Sequence, residues 1–391
     1  MHRGWVAIQR ARVRASLTTR GYGNGFRCRY LYGPSHVSGH ASSAGLSSTG
    51  TGRMRRRDFS QNKKSASSPS SAGPTSLASL RRATLSTASG SDNRALEWDG
   101  SIDSIRNFSI IAHVDHGKST LSDAILQLTG NIQKDQLNTQ TLDTLDVEKE
   151  RGITVKAMTA SMLYYHRKSA RTYLLNLIDT PGHVDFSHEV SRSLAASDGS
   201  VLLVDATKGV QAQTLANFYL GLENEVEFVG VVSKIDLPHA EPDSIKGEMD
   251  HAFGMEPETI LSCSGKSGVG VSEVLDAVVE SVPPPKGSEE EEMCAFVCDS
   301  WFDSQRGVIL LVKVINGVLK SGSRIVGYHT KKAFQISELG ILTPNRSPSD
   351  YLSTGQVGYV IANIRAPRDV KLGDTMFYLT GKSQSSKKVG V

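Results

Sequence analysis

The run Ala112-His113-Val114-Asp115-His116-Gly117-Lys118-Ser119-Thr120 follows the apolar stretch Asn107–Ile111 and combines a small residue, a glycine, a lysine and two hydroxyls. Those types in that order suit the gripping of phosphate. Small Ala112 and flexible Gly117 let backbone N–H groups curl around anionic oxygens, and a helix starting behind them presents its positive N-terminal end. Lys118 is spaced to reach the β- and γ-phosphates and Ser119 to ligate Mg2+. Ala112 stands where the strict motif has its first glycine, so the stretch taken alone also reads as an ordinary tight turn.

Further stretches point to the same chemistry. Asp179-Thr180-Pro181-Gly182-His183 closes the apolar run Leu174–Ile178. There Asp179 would hold Mg2+ through water and the Gly182 N–H would meet the γ-phosphate, although Asp, Pro and Gly are also turn formers. Between these motifs, Glu148–Thr154 sits in a polar stretch that begins near Gly130. Such sparse apolar anchoring suits a loop that orders around a γ-phosphate and relaxes after hydrolysis. Thr154 is the candidate Mg2+ ligand, or else a β-branched residue opening the next strand, Val155–Tyr165. Ser233-Lys234-Ile235-Asp236 follows the apolar run Phe228–Val232. A carboxylate at Asp236 can accept from both N1–H and N2–H2 of guanine, which adenine cannot match, so it selects GTP over ATP. The alternative for Asp236 is a helix cap. Ser264-Gly265-Lys266 forms a Gly/Ser loop whose N–H groups could face the guanine O6.

These motifs need a scaffold that brings strand ends together. From Ser101 to about Val282, apolar runs alternate with helical segments, predicting a parallel sheet covered on both faces. The expected strands are Phe108–Val114, Leu174–Asp179, Ser200–Asp205, Glu227–Ser233 and Thr259–Ser262. Their carboxyl ends carry the motifs, as ligand loops do in such sheets. After Pro283–Pro285 and the acidic run Glu289–Glu292, read as a solvated linker, short β-rich segments follow: Ala295–Asp299, Val308–Ile315, Ser323–Tyr328, Lys332–Ile341 and Gly358–Ala362. Gly and Pro punctuate them closely, as in a β-barrel.

The 391 residues suffice for two cores. The expected organisation is a leader and Ser/Gly-rich disordered segment over 1–100, a nucleotide-binding domain over 101–282, a linker over 283–293, a barrel over 294–380 and a disordered tail over 381–391. Eleven arginines and no carboxylate precede Asp58, so the net charge of +4 belongs to the leader and the remainder is acidic. An arginine- and serine-rich, acid-free start is the composition of an organelle transit peptide. Arginines beginning at Arg3 favour a mitochondrion over a plastid, and a basic tail touching RNA or membrane is the alternative. No apolar run approaches the ~18–20 residues of a membrane span. Cys28, Cys263, Cys294 and Cys298 are too few and too scattered for a disulfide framework or a thiolate metal site.

In this order, the His113–Thr120 loop, Arg151-Gly152-Ile153-Thr154 and Asp179–His183 resemble the translational GTPases. Ala112–Thr120, Lys234–Pro238, Val282–Lys286 and Asp299–Val308 narrow the resemblance to elongation factor 4, also called LepA, in an organellar form. The likeness runs from about Ile105 to Leu379, and the further C-terminal domains usual in that family are not matched, which reads as a C-terminally truncated form. The resemblance implies an α/β P-loop GTPase domain followed by an all-β translation-factor barrel, with GTP or GDP and Mg2+ as ligands. It makes His183 the residue that orients the attacking water, with Val114 and Ile153 flanking it as an apolar gate, and Ser119, Thr154 and Asp179 the Mg2+ ligands. It implies a monomer that acts on the mitochondrial ribosome, and through it on rRNA and tRNA. The implied role is fidelity of protein synthesis by back-translocation, with peripheral contact to the matrix side of the inner membrane. A GTP-dependent ribosome-binding module without catalysis and a translocase of the elongation factor G kind are the competing expectations. Ser233 departs from the family, where Asn is usual and its amide can both tether the phosphate loop and contact the base. Gly265 departs where Ala is usual. Retained guanine selectivity with weaker binding is expected from the shorter Ser233.

Overall fold

The computed structural model of the chain describes residues 97–132, 159–180, 187–343 and 345–379. The first layer contains β1 (Ile105–Ala112), α1 (Lys118–Leu128), β2 (Thr159–His166), β3 (Arg171–Asp179), α2 (Ser187–Ala196) and β4 (Gly199–Asp205). It continues through α3 (Ala212–Glu223), β5 (Glu227–Ser233), α4 (Pro242–Phe253), β6 (Leu261–Ser262) and α5 (Val271–Ser281). The strands lie in the order β2-β3-β1-β4-β5-β6, all parallel except β2, which runs antiparallel to β3. A parallel sheet is covered on both faces and needs near-continuous apolar strands; β1 and β4 are buried at every position. Alternation along β1 sorts its side chains. Phe108, Ile110 and Ala112 meet Leu121, Ile125, Val274 and Val278 of α1 and α5, whereas Ile111 meets Val190, Leu194, Phe218 and Phe253 of α2, α3 and α4. The carboxyl ends of β1, β3, β4, β5 and β6 therefore share one rim.

Several boundaries differ from the sequence expectation. β1 ends at Ala112 and not at Val114, because the chain turns at His113: the His116 N–H bonds the His113 carbonyl at 3.2 Å and Asp115 takes φ 65°. The strand expected over Thr259–Ser262 shrinks to Leu261–Ser262, since Pro257–Thr259 forms a 3-10 turn closed by the Ile260 N–H on the Pro257 carbonyl at 3.3 Å. Of the strand expected over Val155–Tyr165, the described part starts at Thr159 and extends to His166. The folded layer also starts before Ser101. Trp98 packs with Ile105, Leu163 and Leu174, its Nε1–H donates to Ser104 Oγ at 2.8 Å, and Asp99 pairs with Arg171 at 2.8 Å.

The second layer is antiparallel. It comprises β7 (Cys294–Asp303), β8 (Gly307–Asn316), β9 (Leu319–Lys320), β10 (Arg324–Gly327), β11 (Ala333–Gln335), β12 (Glu338–Thr343), β13 (Asn345–Ser349), β14 (Tyr351–Leu352), β15 (Val357–Ile364) and β16 (Thr375–Tyr378). Eight of these order as β11-β10-β16-β7-β8-β15-β12-β13, and β14 pairs with β9. Val297, Val312, Ile325, Leu339 and Met376 meet in one core, with Phe334 of the far edge strand packed on it, so the sheet curls around a single interior. The expected strand Lys332–Ile341 is two strands. Buried Ile336 turns inward, and the partner changes from β10 to β15 as the Ile336 N–H bonds Ser323 O and the Ser337 N–H bonds Ile361 O. The acidic linker is fastened rather than merely solvated, through Asn316 Nδ2 donating to Glu291 Oε2 at 2.5 Å and the Gly317 N–H to Ser288 O at 2.8 Å.

The two layers share a core and a polar line. Ile178 and Ala196 pack with Ile309, Leu311, Tyr359 and Ile361. Ser161 Oγ donates to Asn176 Oδ1 at 2.7 Å, Asn176 Nδ2 to Asn107 Oδ1 at 2.7 Å, and Asn107 Nδ2 to Asp198 Oδ2 at 2.9 Å. Lys313 of β8 then donates to Asp198 Oδ1 at 2.8 Å. Buried polar groups stay only where they are hydrogen-bonded; here the bonds run across β2, β3 and β1 into the second domain.

Candidate functional site

The phosphate loop links β1 to α1 through two left-handed positions, Asp115 at φ 65° and Gly117 at φ 90°. Gly117 caps α1 with no side-chain bond to its first turn, so the helix offers its N-terminal N–H groups from a backbone that a Cβ would strain. Three contacts staple the loop to the ends of β4 and β5. Ser233 Oγ donates to His116 O at 2.7 Å, Lys234 Nζ donates to Asp115 O, and the Asp205 N–H donates to His116 Nδ1 at 3.3 Å. His116 is fully buried, and that burial pushes its imidazole down to about 4, so it stays neutral and accepts. His113 lies edge-on to it, ring centroids 5.2 Å apart. Both histidines thus pack or hydrogen-bond within the loop's own surroundings.

Lys118 is buried at the head of α1, and its ammonium donates to Asp179 Oδ1 at 2.9 Å and to the Thr180 carbonyl. Thr180 Oγ1 donates to Ile110 O at 2.6 Å, tying the end of β3 to β1. The lysine of one motif and the carboxylate of the next therefore share one place, with Ser119 in the same first turn of α1. Oxygen donors from a hydroxyl and a carboxylate beside a cationic anion-gripping loop fit a Mg2+–phosphate pair. Val114 is half-buried and Thr120 continues α1. Ile153, Thr154, Pro181, Gly182 and His183 lie outside the described residues.

At the base end, Lys234 takes φ 59°, which turns the chain out of β5. Asp236 is exposed, and Ser264 Oγ donates to its Oδ1 at 2.7 Å, fixing one oxygen while the carboxylate edge faces outward. The Ser264 loop is closed by the Ser264 N–H on Val269 O at 2.8 Å and the Gly268 N–H on Ser264 O at 2.9 Å, and the Ile235 N–H reaches Cys263 O at 3.4 Å. Lys266 is exposed on that loop. A Cβ on Gly265 would stand 3.0 Å from the Thr120 carbonyl and Leu121 N, so glycine lets this loop lie directly on the first turn of α1.

Sequence reasoning took Asp205 only as a strand end. It is buried and pairs with Lys234 Nζ at 2.9 Å, and it accepts from the Thr207 N–H and hydroxyl at 2.8 Å each. Burial alone would raise its carboxyl, but the Lys234 ammonium and the Thr207 donors outweigh that and hold it below the usual range. An acid closing an otherwise apolar strand, Gly199–Asp205, was the available signal.

With this geometry in place, comparison with known proteins decides the family. The Elongation factor Tu GTP binding domain family matches residues 103–284, and the Elongation factor Tu domain 2 family matches residues 307–377. The chain is 49% identical over 278 residues to Elongation factor 4 of Thermosynechococcus vestitus, covering 71% of this chain and 46% of that protein. The chain belongs to the elongation factor 4 family of translational GTPases. Related organellar proteins are the chloroplastic Translation factor GUF1 homolog of Vitis vinifera, 49% identical over 73% of this chain and 42% of its own length, and the mitochondrial Translation factor GUF1 homolog of Physcomitrium patens, 50% identical over 70% and 41%. The chain thus spans less than half the length of these relatives. A bacterial selenocysteine-specific elongation factor shares the fold, with a TM-score of 0.56 at 17% identity over 70% of this chain and 45% of that one. In this family's terms, the first layer is the GTP-binding domain and the curled antiparallel sheet is domain 2.

Proposed function

We propose that the chain hydrolyses GTP when it engages an organellar ribosome and that it serves the fidelity of protein synthesis by back-translocation of tRNA. The observation that carries this reading is the joint placement of Ser264 on Asp236 and of Ser233 and Lys234 on the phosphate loop. One outward carboxylate matches guanine N1–H and N2–H2, while the stapled loop and Lys118 match the phosphates. Ser119, Asp179 and Thr154 are the oxygen donors for Mg2+, which when bound offsets charge on the β- and γ-phosphates. His183 orients the attacking water, with Val114 and Ile153 as its apolar flank. Residues 1–100 carry the import leader, 101–282 bind nucleotide, 283–293 link, and 294–380 form the barrel that meets rRNA. The arginine-rich start, without a carboxylate before Asp58, supports an organelle, and its early arginines favour the mitochondrial matrix, with a monomer resting on the inner membrane.

The test is GTP turnover by the full chain mixed with mitochondrial ribosomes. The reading expects stimulated hydrolysis, lost in His183→Ala while ribosome binding persists. Ribosome binding without stimulated hydrolysis overturns it in favour of a non-catalytic module.

A further inference from the structure

Ser233 ends β5 three residues ahead of Asp236. It is 3% exposed, its hydroxyl donates to the His116 carbonyl at 2.7 Å, and the Val204 carbonyl at 3.3 Å is the next acceptor. A hydroxyl has one proton to give. That proton is committed to backbone carbonyls, so none remains for guanine N7 and O6, which only accept. An amide in its place would carry two donors and could serve the loop and the base together. We propose that Ser233 is a positioning residue for the phosphate loop and takes no part in reading the base. It therefore tunes affinity through the phosphates alone, and guanine selection falls to Asp236 and the Ser264 loop. This rests on the GTP-binding reading above.

The placement of the loop explains why one hydroxyl matters. Its other two staples are a long flexible lysine and an imidazole bonded at 3.3 Å. The Ser233 bond comes instead from a short side chain at a buried strand end. It fixes the carbonyl of His116 directly before Gly117, where the left-handed turn sets the direction of the N–H groups. Without it, the His116 carbonyl loses its partner in a buried setting and the N–H array loses its aim at phosphate. Nothing at the base edge changes.

The experiment measures equilibrium affinity of the full chain for GDP and for 7-deaza-GDP, which keeps the phosphates and the Watson–Crick edge but replaces N7 by C–H. Ser233→Ala is expected to weaken both ligands by roughly 5- to 30-fold, the range for losing one buried hydrogen bond. The GDP to 7-deaza-GDP ratio should stay within about twofold of the wild-type ratio, because that bond serves the loop and not N7. Ser233→Thr, which keeps the hydroxyl, restores affinity for both. Ser233→Asn gains a preference for GDP over 7-deaza-GDP. Should Ser233→Ala fail to fold, Ser233→Cys keeps the shape with a weak donor and gives the same comparison. A ratio that collapses in Ser233→Ala overturns the inference, since the hydroxyl would then read N7, and so does unchanged GDP affinity. Absence of guanine-nucleotide binding by the wild-type chain overturns the parent reading as well, which distinguishes the two failures.

Discussion

Lys313→Met removes the cation that joins domain 2 to the GTP-binding domain. The Lys313 side chain is 8% exposed and bonds Asp198 Oδ1 at 2.8 Å, while Asp198, 20% exposed, holds Asn107 through its other oxygen. Removing one partner of a buried pair costs about 3–5 kcal/mol, because the remaining charge is stranded. Asp198 keeps Asn107 and some solvent, so Lys313→Met belongs at the low end, about 3 kcal/mol. Asp198→Asn strands an almost fully buried ammonium and belongs at the high end, about 5 kcal/mol. At roughly 2–4 °C per kcal/mol for domains of this size, Lys313→Met lowers the melting temperature by roughly 6–12 °C. Replacing both charges costs less than the sum of the two, since an apolar pair of similar volume needs no partner. Calorimetry of the full chain and its three variants reads this cycle. A Lys313→Met protein melting within about 2 °C of wild type, or strictly additive variants, would refute the reasoning.

Two other expectations follow from burial. His116 stays neutral in the fold down to about 4, whereas an unfolded histidine takes its proton near 6.5. Its contribution to stability is complete above about 6.5 and is lost as pH falls towards about 4. Between pH 7 and pH 4.5, wild type should therefore lose more melting temperature than His116→Gln, and parallel slopes would contradict the assignment. Burial also pushes the Cys263 and Cys298 thiols up to about 12. Both should resist a thiol reagent at pH 8 until the chain unfolds, and rapid labelling of either in the native protein would contradict their placement.

The parallel sheet was legible because its strands carry apolar runs that end on motif residues: β5 was read over its full Glu227–Ser233 span. What escaped was tertiary in origin. β9, β13, β14 and β16 are short or polar strands, such as Asn345–Ser349, that pair because a neighbour supplies the ladder, not because their own pattern demands it. At the site, the spacing of Lys118, Asp179 and Asp236 suggested the chemistry proposed for them, but the partner of Ser233 depends on where the His116 carbonyl lies. Distance across 117 residues of chain cannot be read from either residue alone. Asp198 and Lys313 likewise look like ordinary surface charges until the two domains bring them together.

Guanine selectivity at this site is proposed to rest on Asp236. Its most direct measurement is GDP against ADP affinity for the full chain, repeated with XDP on Asp236→Asn. GDP is expected to bind at least about 100-fold more tightly than ADP, since adenine leaves the carboxylate unpaired. Asp236→Asn is expected to move the preference from GDP to XDP. Equal affinity for GDP and ADP in the wild-type chain would contradict it.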